Sequence, residues 1–162
     1  MNQTTPIPTP LTLHTATVLP EWLDYNQHMT EGFYAVAFCQ ASEAFLDYLN
    51  IGPAYRERTG CTIYTVESHL NYLRELKLGA PLRFTTQLLG HDAKRMHVYH
   101  EMFHAEQGYL AATFEVMMVH VDQRVVKTAP MPEPVLAHFA AIQQAHDGLP
   151  QPKWVGRTIQ LS

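Results

Sequence analysis

Asp24, Asn26 and His28 occupy alternate positions in the stretch Asp24-Tyr25-Asn26-Gln27-His28-Met29-Thr30-Glu31. An acid, an amide and an imidazole delivered in this way to the start of a helical pattern can act on a carbonyl group. The first backbone N–H groups of a helix have no partner within it and form a positive pole able to hold a developing oxyanion. A carboxylate beside that pole can take a proton from water or attack the carbonyl carbon itself. Asn26, through its amide, and His28, as a donor, can bind or polarise a substrate. Turns and caps draw on the same residue types, so Asp24, Asn26 and Thr30 also fit a purely structural role.

The flanking segments supply the frame. Residues 11–18 are rich in β-branched residues and partly alternate, which predicts a first strand ended by Pro20. Over residues 30–49, Tyr34, Phe38, Ala41, Phe45 and Leu49 recur at spacings of three and four, the apolar face of a long helix. Ala35, Ala37, Ala41 and Ala44 favour that helix and let another element approach closely. Gly52-Pro53 stops it, and residues 54–59 fit one further helical turn. From Cys61 the period changes to two, predicting strands over 61–76, 81–90, 94–105 and 109–121. Their short connections, Leu78-Gly79-Ala80, His91-Asp92-Ala93 and Glu106-Gln107-Gly108, are of hairpin length, so the strands pair antiparallel. Val116-Met117-Met118-Val119 breaks the alternation and fits a strand covered on both faces. A second helix follows over 133–146. Residues 1–10, polar with three prolines, read as a loose tail. Residues from about 147 to 162 read as a C-terminal extension, a docked tail or a partner contact. The order implies one α+β domain spanning 1–162, an antiparallel sheet curled around a long helix.

Composition narrows the function classes. With 162 residues, 46% apolar and 16% charged, the chain fits one globular domain. A net charge of −4 argues against nucleic acid as a partner but leaves room for a local basic patch. Cys39 and Cys61 have no CxxC spacing and read as reduced thiols of a cytoplasmic protein. No apolar run of about 18 residues predicts a membrane span, and MNQTTPIPTP lacks the basic-then-apolar order of a signal peptide. On a strand, His100 and His104 share one face and His97 takes the other, a poor arrangement for three ligands of one metal, so no metal is expected. There is no glycine-rich phosphate loop of the Walker or Rossmann kind.

The segment Asp24–Met29 fits the pattern D-x-N-x-H-[VM] and leads into the long helix with Tyr34. Thr65-Val66-Glu67-Ser68-His69-Leu70-Asn71-Tyr72-Leu73-Arg74, running on to Leu78-Gly79, fits a second-strand signature. On these residues the chain, over roughly 11–145, resembles the hotdog-fold thioesterases of the 4-hydroxybenzoyl-CoA thioesterase-like superfamily. It departs from their pattern at Thr30-Glu31, where Asn-Asn is usual. Leu19-Pro20-Glu21-Trp22, Tyr64-Thr65-Val66-Glu67 and Thr86-Gln87-Leu88-Leu89-Gly90-His91-Asp92-Ala93-Lys94-Arg95 further resemble the betainyl-CoA thioesterases, which are associated with carnitine and betaine breakdown.

The resemblance implies hydrolysis of an acyl-CoA, foremost betainyl-CoA, to the free acid and coenzyme A. It implies Asp24 as the base or nucleophile, with Asn26, His28 and Glu67 as the further catalytic candidates; Glu67, a charge within a mainly apolar strand, either lines the site from a neighbouring subunit or faces solvent. Lys94 and Arg95 beside a cleft would hold the phosphates of coenzyme A. Trp22, Tyr25, Phe33, Tyr34 and Tyr64 offer aromatic faces to a quaternary ammonium. No cofactor is implied beyond the coenzyme A of the substrate, and no nucleic acid or membrane partner. A homodimer with two sites at its interface is implied, and two dimers stacked as a tetramer are compatible with it. Two readings compete: a hydratase or dehydratase acting on acyl-CoA with the same fold, and a non-catalytic acyl-CoA-binding module.

Overall fold

The computed structural model describes residues 6–161. Strand β1 (Leu11–Thr17) is followed by a short 3-10 turn at Pro20–Trp22 and then by helix α1 (Glu31–Tyr48). A short helix α2 (Pro53–Thr59) precedes strands β2 (Cys61–Tyr72), β3 (Pro81–His91), β4 (Arg95–His104) and β5 (Leu110–Asp122). A two-residue strand β6 (Lys127–Thr128) and helix α3 (Glu133–His146) complete the order. The sheet runs β1-β3-β4-β5-β2, with β6 on β5, and every pairing is antiparallel.

The apolar face of α1 faces this sheet as its spacing requires. Tyr34, Ala37, Phe38, Ala41 and Phe45 are all buried. Phe38 stacks on Phe114 of β5 at 5.2 Å and meets Phe84 of β3 edge-on at 5.7 Å. Phe45 meets Phe139 of α3 at 6.4 Å, so α3 closes the far end of the same core. Alternate residues of the central strands, Leu82, Phe84 and Leu88, then Met96, Val98 and Met102, then Ala112, Phe114, Val116 and Met118, line this core. The other face of β5 is also largely covered, since Ala111, Thr113, Val119 and Val121 are buried.

Three histidines lie buried where they tie elements together. His100 sits between the hydroxyls of Ser42 on α1, 3.1 Å, and Thr86 on β3, 2.9 Å. His120 donates to the Ala129 carbonyl and accepts from the Tyr55 hydroxyl. His146 accepts from the Leu88 N–H at 3.0 Å and donates to the Pro8 carbonyl at 3.3 Å.

The boundaries correct the expectations in three places. Of the expected loose tail, residues 1–5 lie outside the described residues, while Ile7 packs against the core and Pro8 is held by His146. β2 stops at Tyr72 rather than at 76, because the N–H groups of Leu73 and Arg74 both turn to the Ala111 carbonyl. Leu76, fully buried, then offers its carbonyl to the Met29 N–H at 2.8 Å, so residues 73–76 leave the sheet to meet the Asp24 loop. β6 has no counterpart among the expected strands, since two residues carry no period. The C-terminal segment is docked in part: the Gly156 N–H donates to Glu115 Oε2 at 2.7 Å, and Trp154 lies between Lys153 and Arg157. Ile159 and Leu161 remain exposed.

Candidate active site

Residues 23–29 fold back on themselves ahead of α1. Leu23 and Met29 bridge, the Asp24 N–H donates to the His28 carbonyl at 2.9 Å, and the Gln27 N–H donates to the Asp24 carbonyl. Gln27 takes the left-handed conformation, φ 62°, that closes so tight a turn. Asp24 holds the turn with one oxygen: Oδ1 accepts from the Asn26 N–H at 2.8 Å and the His28 N–H at 3.3 Å. Among the described residues both hydrogen bonds to this carboxylate fall on Oδ1, which leaves Oδ2 for chemistry. The structural and chemical readings of Asp24 are therefore served by different oxygens.

The loop is anchored on both sides. The Met29 N–H reaches Leu76, the Thr30 N–H reaches the Trp22 carbonyl at 2.9 Å, and His28 bridges to Lys77. Thr30 precedes α1 in an extended conformation and makes no side-chain cap. The Phe33 N–H turns back to the Thr30 carbonyl at 3.0 Å, and no side chain of Thr30 caps the Glu31 and Gly32 N–H groups that open α1.

A groove runs along this helix start, lined by Met29, Glu31, Tyr34, Tyr72, Leu73, Arg74 and Glu75. Tyr34 and Tyr72 meet edge to face, 5.3 Å apart at 87°. The Tyr34 hydroxyl donates to the Arg74 carbonyl and the Tyr72 hydroxyl to the Glu31 carbonyl, each at 3.4 Å. Burial pushes the Tyr34 phenol up to about 12, and burial with the nearby Glu31 charge raises that of Tyr72. His28 Nε2 lies 3.8 Å from Glu75 Oε1, which joins the loop to the groove. Arg74 also lines the groove, with its guanidinium 3.9 Å from the centre of the Tyr109 ring.

The structure gathers Asp24, Asn26 and His28 in one turn, sets Tyr34 in the groove at the start of α1, and places the other expected residues as follows. Trp22 is 5% exposed and stacks on Phe33 at 5.7 Å, so it is a wall of the core and not a free aromatic face. Tyr25 is 91% exposed at the tip of the turn, with no aromatic neighbour among the described contacts. Tyr64 pairs with Val119, at the opposite end of β2 from Tyr72, about 26 Å away along the strand. Glu67 is five residues from Tyr72, about 16 Å. A bulge between Thr65 and Glu67 sets Glu67 opposite Met117, on the sheet face away from α1. Lys94 and Arg95 lie at the β3–β4 hairpin, and the nine steps of β4 separate them from its other end by about 30 Å. Arg95 is engaged locally: its Nε and Nη2 reach Asp92 Oδ2 at 2.7 and 2.6 Å, and that pairing lowers Asp92 to about 2. His97 pairs with Glu115 at 2.8 Å on the outer face, while His100 and His104 point to the core side.

Tyr72, Glu31 and Glu75 are the site residues that sequence reasoning missed. Tyr72 belonged to the quoted second-strand signature, but nothing local said that the strand ends there against the start of α1.

A curled antiparallel sheet around a central helix, with a carboxylate oxygen left free in the turn that leads into that helix, fits a thioester hydrolase. Residues 18–139 match the thioesterase-like superfamily, and the chain belongs to it. It is 40% identical over 151 residues to the betainyl-CoA thioesterase of Pseudomonas aeruginosa, covering 93% of this chain and 95% of that one. It is 41% identical over 150 residues to the L-carnitine dehydrogenase/betainyl-CoA thioesterase of Rhizobium meliloti, covering 93% of this chain and 30% of that longer protein. A solved Staphylococcus aureus protein in complex with CoA superposes with a TM-score of 0.89 at 28% identity, over 98% of this chain and 100% of that one. No described helix is long and apolar enough to cross a membrane.

Proposed function

We propose that the protein hydrolyses betainyl-CoA to betaine and coenzyme A in the cytoplasm, with water as the only co-reactant and no cofactor. The observation that carries the chemistry is Asp24, with Oδ1 fixed by two backbone N–H groups and Oδ2 without a partner among the described residues, in the turn that leads into the uncapped start of α1. The similarity to the Pseudomonas aeruginosa enzyme over nearly the whole of both chains supports the substrate. The thioester carbonyl rests against the first N–H groups of α1, which take up the charge that develops on its oxygen. Asp24 either draws a proton from water or attacks the carbonyl to form an anhydride that water then opens. In both routes the C–S bond breaks and the thiolate of coenzyme A leaves. Asn26 and His28 orient the substrate at the mouth of the turn.

The expected outcome with purified protein is release of free thiol from betainyl-CoA faster than from straight-chain acyl-CoAs of similar size. Binding of acyl-CoA without thiol release would instead favour a binding module. Equal turnover of butyryl-CoA and betainyl-CoA would remove the substrate assignment and leave the hydrolase standing.

The working unit of this reading is a homodimer. β2 is an edge strand of twelve residues, and Tyr64–Ser68 along it are exposed. Unpaired edges of this length are normally paired or blocked. Antiparallel pairing of β2 with the same strand of a second copy would carry that copy's Tyr64, Glu67, Lys94 and Arg95 towards the groove beside Asp24. Their separation within one chain is then the reason the site needs two. Light scattering is expected to give at least twice the chain mass at assay concentration; a fully active monomer would defeat this assembly.

A further inference from the structure

The groove at the start of α1, joined to the Asp24 loop through Met29 and the His28–Glu75 contact, carries negative charge and exposed aromatic surface together. Glu31 and Glu75 both line it, and Tyr72, 52% exposed, presents its ring there against the edge of Tyr34. Arg74 lines the groove as well, with its guanidinium over Tyr109, so the two carboxylates outnumber the one guanidinium there. His28 is the remaining titratable neighbour, and it sits against Glu75. Burial is the main reason both phenols are raised, and the nearby carboxylates add to it, Glu31 at Tyr72 and, more weakly, Glu75 at Tyr34.

We propose that Glu31 and the exposed ring of Tyr72, backed by the buried Tyr34, form the subsite for a quaternary ammonium group on the acyl moiety. The inference rests on the reading of the protein as a betainyl-CoA thioesterase and replaces the dispersed aromatic cage expected from sequence. In a betainyl thioester one methylene separates the ammonium from the scissile carbonyl. The cation must therefore lie within one side chain's reach of the oxyanion site. Glu31 opens α1 and so stands beside the N–H groups that would hold that oxygen. A trimethylammonium has no N–H to donate, so it is recognised by aromatic faces and by unpaired anionic charge, which are what this groove supplies.

The test compares betainyl-CoA with 3,3-dimethylbutanoyl-CoA, in which carbon replaces the charged nitrogen at the same shape. The wild-type chain is expected to prefer the charged substrate in kcat/KM. Glu31→Gln is expected to reduce that preference about tenfold, and Tyr72→Leu by up to about thirtyfold, with Tyr72→Phe retaining most of it. The ratio between two isosteric substrates is insensitive to loss of helix-start stability, which a merely structural Glu31 would cause in both alike. An unchanged ratio in both Glu31→Gln and Tyr72→Leu, with betainyl-CoA still preferred, overturns the subsite and leaves the substrate reading intact. A wild type that turns over the carbon isostere and not betainyl-CoA overturns the substrate reading, and the subsite with it.

Discussion

Asp24→Asn is expected to lower kcat by about 10²–10⁴-fold, the usual cost of losing a general base, while the protein stays folded and still binds acyl-CoA. Asparagine retains an oxygen in the position of Oδ1, so the N–H groups of Asn26 and His28 keep their acceptor. The turn and the entry into α1 therefore survive. What disappears is the second oxygen, which in aspartate can take a proton or attack a carbonyl. The uncapped start of α1 remains to polarise the thioester, so a residual rate is expected. Steady-state kinetics beside a melting curve check this. Near-wild-type kcat in a folded variant would mean that Asp24 only holds the turn. Single-turnover hydrolysis in labelled water, with label sought in the Asp24 carboxylate, would then separate base from nucleophile.

Below about pH 6.5 the protein is expected to lose stability steeply, with His100 as the largest single contributor. His100 is fully buried, and burial lowers its pKa to about 3; burial also lowers that of His146. An unfolded histidine takes up its proton near pH 6.5. Between that value and the folded pKa the unfolded chain binds a proton that the folded chain refuses, so the stability present above pH 6.5 is lost as pH falls. The loss is about 1.4 kcal/mol per pH unit per histidine, or roughly 3 kcal/mol from His100 alone by pH 4.5. The paired carboxylates Asp92 and Asp122, both lowered to about 2, act only at lower pH, below the ordinary carboxylate range. Glu101, raised by burial, works in the opposite direction. Denaturant unfolding at pH 7.5, 6.0 and 5.0 reads the slope. His100→Gln keeps hydrogen bonding to Ser42 and Thr86 possible but cannot be charged, so its stability should fall less with pH over this range. An unchanged slope in that variant would assign the loss to other groups.

Much of the frame was legible in the chain because its signals are local. Tyr34, Phe38, Ala41 and Phe45 repeat with the helical period, and all four are buried where α1 meets the sheet. The strand over 81–90 runs one residue further, to His91, because its end pairs with Met96 across the hairpin. The 133–146 helix has the expected limits. The strand over 61–76 ended early because Leu73 and Arg74 found a carbonyl on β5, a partner almost forty residues away that no local pattern reveals.

The sequence by itself determined the helix, the run of antiparallel strands, and the loop that brings Asp24 to the start of α1. Those follow from side-chain periodicity, turn residues and the residue order of the loop. Only the tertiary structure decided which side chains share a place. Trp22 was an aromatic near the motif, but stacking on Phe33 buried it in the core. Tyr72 and Glu31 lie 41 residues apart in the chain, and they meet because β2 ends against the first turn of α1. A one-residue bulge beside Val66 fixed the face that Glu67 occupies, since strand side chains alternate and one added residue reverses every later one. Periodicity specifies the face that each element buries. Strand order, register and bulges then set what stands across from it, and those depend on pairing between distant segments.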